Sequence, residues 1–338
     1  MIPELEAVID AIGTRNRFLL VSHARPDGDS IGSELALAYA LKDLGKEVRV
    51  VNHDAVPPYL QSVPGVSEIV VADAADGEYD AAIILECGSL GRTEVSGLDQ
   101  YFVINIDHHL GNTMYGDVNW FDGSAAACAE MVFDVVQGLG VPLTPPIATH
   151  LYVAILTDTG TFRHANITAR TFEICRLATE AGVSPADVAG HVYQNSSVGK
   201  LRLTGTLLDT MELVSDGRVA VLSVDDQVLE RTGCAPDDLE GLTNMPLTAQ
   251  GVSAVVMFKT IDGHLRVSLR SKPDIDVRAV ATKYNGGGHR NAAGFSVTSP
   301  DGTLRSQVVA DVATAVTAGL AGADENASSH AESGVPTR

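Results

Sequence analysis

Apolar residues in the first half of the chain recur with two different periods. Ile2, Leu5, Val8, Ile9 and Ile12 fall on one helix face, whereas Phe18 to Val21 is a continuous apolar run of strand length. Leu35 to Leu44 returns to helical spacing, and Val48 to Val51 to a strand. Short apolar runs at Ile69 to Val71, Ala81 to Leu85 and Phe102 to Ile106 each stop at a polar or charged end, as strands of a buried parallel sheet do. Helical segments are predicted over about 125–138, 146–157 and 168–182. This alternation predicts an α/β fold, with a doubly wound parallel-sheet domain over residues 1–185.

Ser184-Pro185 opens two further helical segments that meet at the polar joint Gln194 to Ser197, which predicts a helical linker over 186–214. Beyond it, Arg218 to Val224, Ser253 to Thr260 and Leu265 to Leu269 read as strands, the last two joined through the hairpin signal Asp262-Gly263. A helix near 276–284, a glycine loop at 286–288, a strand near 293–298 and a helix over about 304–320 complete a smaller α+β domain, 215–322. Residues 323–338, rich in Ser, Ala and Glu without periodicity, are expected to form a disordered tail. A chain of 338 residues is long enough for two domains with cores of their own.

Composition narrows the setting. Cys87, Cys128, Cys175 and Cys234 are widely spaced and include no CxxC pair, so they are expected as reduced, mostly buried thiols of a cytoplasmic protein. The amino terminus lacks the basic and apolar regions of a signal peptide, and no apolar run reaches membrane-spanning length, so no membrane contact is expected. The net charge of -20 disfavours tracking along a long polyanion. Between residues 259 and 290, however, seven cations face three carboxylates, a local balance of +4. Such an island suits a short phosphorylated ligand better than duplex DNA.

The chemistry gathers at element ends. His23-Ala-Arg-Pro-Asp27-Gly-Asp29 follows the first apolar run, and Asp107-His108-His109 follows Phe102 to Ile106. Glu86 ends the run at Leu85, and Asp158 ends the helix that begins near Ile147. Imidazoles with carboxylates and no thiolate suit hard divalent cations such as Mn2+ or Mg2+. Taken singly, the first segment is equally an Asp-Gly turn with a Ser N-cap, and Glu86 or Asp158 a cap or surface charge. Four such ends in one predicted sheet favour a site. In the second domain Arg270 ends a predicted strand and could hold a phosphate bidentately, while Gly286, Gly287 and Gly288 permit close backbone approach beside His289. A glycine loop by itself indicates only a turn.

The segments HARPDGDSIGS, DHH, TDTGTFRHAN and GGGHRNAAG, in this order, resemble the DHH family of phosphoesterases with a DHH-associated C-terminal domain, in its short nanoRNase branch. The resemblance spans about residues 5–320. It implies that His23, Asp27, Asp29, His108 and Asp158 ligate two Mn2+ ions, with Mg2+ as a substitute, while His109 lies beside the scissile phosphate and Asp107 orients the pair. Where the family carries a metal-bridging Asp, this chain has Glu86, which keeps charge and both oxygens but adds a methylene. Arg270 and His289 match positions that hold the substrate phosphate, and Arg163 is a further candidate from the first domain. His53, His150, His164, His191 and His264 have no such support and are expected at the surface or as caps.

The resemblance further implies hydrolysis of short single-stranded RNA, linear dinucleotides such as pApA, and 3'-phosphoadenosine 5'-phosphate to nucleoside 5'-monophosphates, in a cleft between domains and within a homodimer. Two divalent ions can activate a water and neutralise both the attacking and leaving oxygens of an in-line displacement. Two alternatives stay open at this point. One is a non-catalytic nucleotide-binding or sensing protein whose metal site Glu86 has impaired. The other is a family pyrophosphatase, disfavoured by the GGGH segment.

Overall fold

The computed structural model describes residues 2–239, 241–298 and 302–332. The chain forms two compact units that divide after Asn195. The first contains α1 (Pro3–Gly13), β1 (Arg17–Val21), α2 (Gly28–Asp43), β2 (Glu47–Asn52), β3 (Ile69–Val71), β4 (Ala81–Leu85), β5 (Phe102–Asp107), β6 (Val118–Phe121), α3 (Cys128–Gly138), α4 (Pro145–Asp158), α5 (Ala169–Glu180) and α6 (Pro185–Tyr193). Its six strands pair in the order β3-β2-β1-β4-β5-β6, every pairing parallel. The strand order therefore reverses direction between β1 and β4, and the crevice beyond the carboxyl ends of such strands is where open α/β sheets bind ligands.

Apolar runs make these strands because both sheet faces are covered: Phe18 to Val21 and Ala81 to Leu85 are fully buried. Helix α2 is buried on almost every side, and its glycines permit close packing on α4. A Cβ at Gly28 would lie 2.3 Å from Thr157 Oγ1, and one at Gly32 would lie 2.5 Å from the His150 carbonyl oxygen. Strand β6 escapes the sequence pattern because it is short and only Trp120 in it is buried.

The second unit contains α7 (Val198–Asp209), β7 (Glu212–Val214), β8 (Val219–Asp225), α8 (Asp226–Thr232), β9 (Ala254–Ile261), β10 (His264–Ser271), α9 (Val277–Lys283), β11 (Gly287–His289), β12 (Ala292–Val297) and α10 (Leu304–Glu332). Its strands run β11-β12-β10-β9-β8-β7, with β8 and β9 parallel and the other pairings antiparallel. One face packs Val256, Phe258, Val267, Leu269 and Phe295 against α9 and α10. The other packs Ala220, Leu222, Val255 and Met257 against Leu203 and Leu207 of α7 and Leu229 of α8.

Several expectations need correction. The predicted linker, 186–214, is divided between the units, because Val188 and Val192 of α6 join the first core and Leu203 and Leu207 of α7 the second. Residues 212–214 are strand rather than helix. The glycine loop is in part an edge strand, with Gly287, Gly288 and His289 paired to β12. The tail expected from 323 instead continues α10 to Glu332, consistent with the high helix propensity of Ala321, Ala323, Ala327 and Ala331, and residues 333–338 lie outside the described residues. All four cysteines are free, and three are buried. Among the described residues no helix is long and apolar enough to cross a membrane.

Candidate metal centre

The first unit gathers every predicted ligand at the carboxyl edge of its sheet. After β1, Arg25 adopts a left-handed φ of 56°, and its backbone N–H donates to Asp54 Oδ2 at 2.7 Å. This turn presents His23 and delivers Asp27 as the N-cap of α2, where its Oδ1 accepts the backbone N–H groups of Asp29 and Ser30. Its other oxygen lies 3.9 Å from His23 Nε2. Asp29, one position into the helix, is fully buried.

Glu86 follows β4 with φ of 57°, a conformation that costs a non-glycine residue about 1–3 kcal/mol and is characteristic of functional sites. Its backbone N–H continues the ladder to the Ile106 carbonyl at 3.0 Å. The strained turn points the carboxylate between two groups of ligands. Oε2 lies 2.8 Å from His23 Nε2, and Oε1 lies 3.2 Å from both His108 Nε2 and His109 Nδ1. His108 Nε2 is in turn 3.7 Å from Asp29 Oδ2 and from Asp158 Oδ2. Three overlapping sets have ligand atoms mutually within 4.8 Å: His23, Asp27 and Glu86; Glu86, His108 and His109; Asp29, His108 and Asp158.

The imidazoles are oriented for ligation. His23 Nδ1 lies 2.8 Å from the Ala24 carbonyl and His108 Nδ1 lies 3.0 Å from the Ala125 carbonyl. A carbonyl only accepts, so each Nδ1 carries the proton and each Nε2 faces the carboxylates, the arrangement in which a backbone group fixes the tautomer of a ligating histidine. Ser30 Oγ supports the centre at 3.0 Å from His23 Nε2 and 3.3 Å from Glu86 Oε2.

Electrostatics make this a site for cations. Burial works against charge on His23 and His108, yet hydrogen bonds to Glu86 outweigh it, together with Asp29 for His108, and raise them to about 9 and about 10. Burial favours the neutral acid at Glu86, but His108, His23 and His109 hold it down at about 2. Asp29 is driven well up by burial and then by the charges of Glu86 and Asp158, and Asp158 rises to about 6 mainly through burial. Crowded carboxylates and imidazoles therefore retain protons where a divalent cation would serve better. The donor set, all oxygen and imidazole nitrogen, fits Mn2+ or Mg2+ and offers no soft ligand.

Asp107 is buried and stands behind the imidazoles: its Oδ1 is 2.9 Å from His109 Nδ1, and its Oδ2 accepts from Asn112 Nδ2 at 2.6 Å. Arg163 lies on the turn after α4, where its Nε donates to the Gly160 carbonyl at 2.6 Å. The sequence reading missed Ser30 as more than a cap and Asn112 altogether; only their positions near the ligands could have marked them. It also misplaced His150, which is buried, with its ring nitrogens 2.7 and 2.8 Å from the Pro146 and Pro64 carbonyls. His164 is a cap as expected, with Nδ1 2.9 Å from the Asp158 carbonyl. In the second unit Arg270 is half-buried and donates to its own neighbour's carbonyl, while His289 and Gly288 are exposed on β11.

Known proteins give this geometry a context. Residues 17–155 match the DHH family, N-terminal domain, and residues 216–317 match the DHHA1 domain. A Thermus thermophilus protein described as a bifunctional oligoribonuclease and PAP phosphatase, NrnA, is 35% identical over 287 residues, covering 83% of this chain and 84% of that one. Its Bacillus subtilis namesake is 28% identical over 316 residues, covering 91% and 97%. In fold, an exopolyphosphatase-related protein from Bacteroides fragilis superimposes with a TM-score of 0.82 at 24% identity, covering 92% of this chain and 95% of that one. The chain accordingly belongs to the DHH family, carries the DHHA1 domain, and is a hydrolase of the phosphoesterase class.

Proposed function

We propose that the chain is a cytoplasmic Mn2+-dependent phosphodiesterase and phosphatase that hydrolyses short oligoribonucleotides, pApA and 3'-phosphoadenosine 5'-phosphate to nucleoside 5'-monophosphates. The observation that carries this is the placement of Glu86, with one oxygen against His23 and the other against His108. That placement supports a bridging role despite the extra methylene. His23 and Asp27 would then hold one ion, and Asp29, His108 and Asp158 the other. Divalent ions held there would supply an activated water and neutralise the charge developing on the phosphate oxygens.

The chain's own residues do the remaining work. His109, half-exposed at the rim and oriented by Asp107, is assigned to the reacting phosphate and its leaving oxygen. Arg270, His289 and the backbone of Gly286 to Gly288 are assigned to the substrate's terminal phosphate, with Arg163 contributing from the turn after Asp158. Arg270 supports this because burial is what lowers its pKa and, among the described residues, no carboxylate pairs with it.

Incubation with pApA and Mn2+ is expected to release AMP, and Asp158→Ala to abolish turnover far more than binding. Absence of product with Mn2+ and with Mg2+, alongside measurable nucleotide binding, would instead establish the sensing protein. Equal loss of binding and turnover in Asp158→Ala would reject the assignment of this residue as a ligand.

A further inference from the structure

In the second unit, directly paired strand residues share a face of the sheet. The register therefore sets out three rows. Lys259, Arg266 and Ser296 form one, Met257, Ser268, Gly294 and Gly287 the next, and Val255, Arg270, Ala292 and His289 the third. The neighbouring Val267, Leu269 and Phe295 point to the opposite, buried face. Met257 and Val255, at the β9 end of their rows, are buried in the core that α7 and α8 cover, and the other residues of the rows are exposed or half-buried. Beyond Met257 the middle row, with two glycines and a serine, has little side-chain bulk between two cationic rows.

Lys259 and Arg266 lie directly across from each other, a like-charged pairing that destabilises a sheet by some tenths of a kcal/mol up to about 1. Neither pairs with a carboxylate among the described residues. The Lys259 ammonium is pushed down by burial and then by Arg270 and Arg266, so these three cations lie within reach of one another without a countercharge. A folded sheet keeps such an arrangement at a cost, which a bound anion offsets.

We infer that Lys259, Arg266 and Ser296 form a second phosphate subsite, which holds an internal phosphodiester of a single-stranded oligonucleotide whose terminal phosphate is held by Arg270 and His289. This rests on the function proposed above. Arg266 and Arg270 are four residue steps apart along β10, about 13–14 Å, so a substrate with a single phosphodiester does not need the subsite and a longer one does. The three rows carry no aromatic side chain for base stacking, and His289 supplies their only ring. Recognition here is of phosphates, tolerant of base sequence and sensitive to salt.

The test is binding of a fluorescent 5'-phosphorylated RNA pentamer in EDTA, by anisotropy across a salt series, with Lys259→Ala/Arg266→Ala against wild type. Pentamer affinity is expected to fall at least tenfold. The slope of log K against log salt should flatten by about 1.4, two contacts at about 0.7 each. With Mn2+, kcat/KM for pApA should stay within about twofold while that for the pentamer falls through KM. The charge-retaining Lys259→Arg/Arg266→Lys should keep pentamer affinity and thereby exclude a folding effect. Unchanged pentamer binding, or an equal loss for pApA and pentamer, would overturn the subsite. Failure of the phosphoesterase reading looks different: wild type then turns over neither substrate, while the binding comparison still reports on the subsite.

Discussion

Asp29 Oδ2 accepts the backbone N–H of Cys128 at 2.6 Å, and so a proposed metal ligand on α2 also closes the open N-terminus of α3. Ala127, the residue before that helix, has no side chain able to cap it, and Asp29 Oδ1 accepts from Ala129 N–H and Ser33 Oγ as well. Two roles give two signatures. Asp29→Ala should abolish turnover and, by removing a cap, destabilise the protein by about 1–2 kcal/mol. Asp29→Asn should abolish turnover too, yet destabilise the chelated protein less than Asp29→Ala, since its remaining oxygen still accepts one backbone N–H of α3 while its amide meets the other. Thermal melts with EDTA and with Mn2+ distinguish these outcomes. Full activity in Asp29→Asn would remove Asp29 from the ligand set.

Protons and metal compete for the centre. His23 and His108 have folded pKa values of about 9 and about 10, above the ordinary 6.5, so the stability their protonation contributes is complete below about 6.5 and lost as pH rises through 9 to 10. Chelated protein should therefore melt progressively lower from about pH 7 to 10, whereas Mn2+-loaded protein should not, and the gap between them should widen. Near pH 7.5 metal binding must displace at least two protons, one from each imidazole, and Asp29 adds to that number. Titration calorimetry in buffers of different ionisation enthalpy measures that number. A value near zero would exclude these histidines as ligands.

Period and element ends made the first unit readable, because a parallel sheet buried on both faces leaves continuous apolar runs such as Ala81 to Leu85 and ends them in chemistry such as Glu86. What stayed illegible follows from physics that acts at a distance in sequence. No local pattern shows that Asp29 caps a helix 99 positions away, or that His150 is enclosed between the carbonyls of Pro64 and Pro146. The second unit was harder, since the short strands β7 and β11 carry too few alternating positions to signal, and α6 and α7 resembled a linker although their apolar stripes enter separate cores.

Close packing of α2 on α4 has its own consequence for the centre. Gly28 lies between Asp27 and Asp29, and an added methyl would overlap Thr157, the neighbour of Asp158, at 2.3 Å from Oγ1 and 2.7 Å from Cβ. Because the clash reaches Cβ, rotation of the threonine cannot relieve it. Gly28→Ala is expected to cost about 1–3 kcal/mol and to weaken Mn2+ binding by separating Asp158 from Asp29. Gly13→Ala, in α1 with open space around it, is the control, and should be neutral or stabilising. Melting and metal titration of both variants test the point, and wild-type metal affinity in Gly28→Ala would show that the helix contact does not position the ligands.

His109 draws its raised pKa first from the hydrogen bond with Asp107, at 2.9 Å, against the opposing effect of burial. Asp107→Asn preserves the size of the side chain while removing its charge. The pKa of His109 must then fall. If protonated His109 donates to the leaving oxygen, the alkaline limb of the kcat profile moves to lower pH in Asp107→Asn, and kcat at neutral pH drops by about 10²-fold, the lower range for a lost general acid. His109→Ala should show a similar drop and no His109-dependent limb, with Mn2+ binding retained because His23, Asp27, Asp29, Glu86, His108 and Asp158 remain. Steady-state profiles on pApA from pH 6 to about 10 decide between this role and one in binding alone, in which KM rises and the limb does not move.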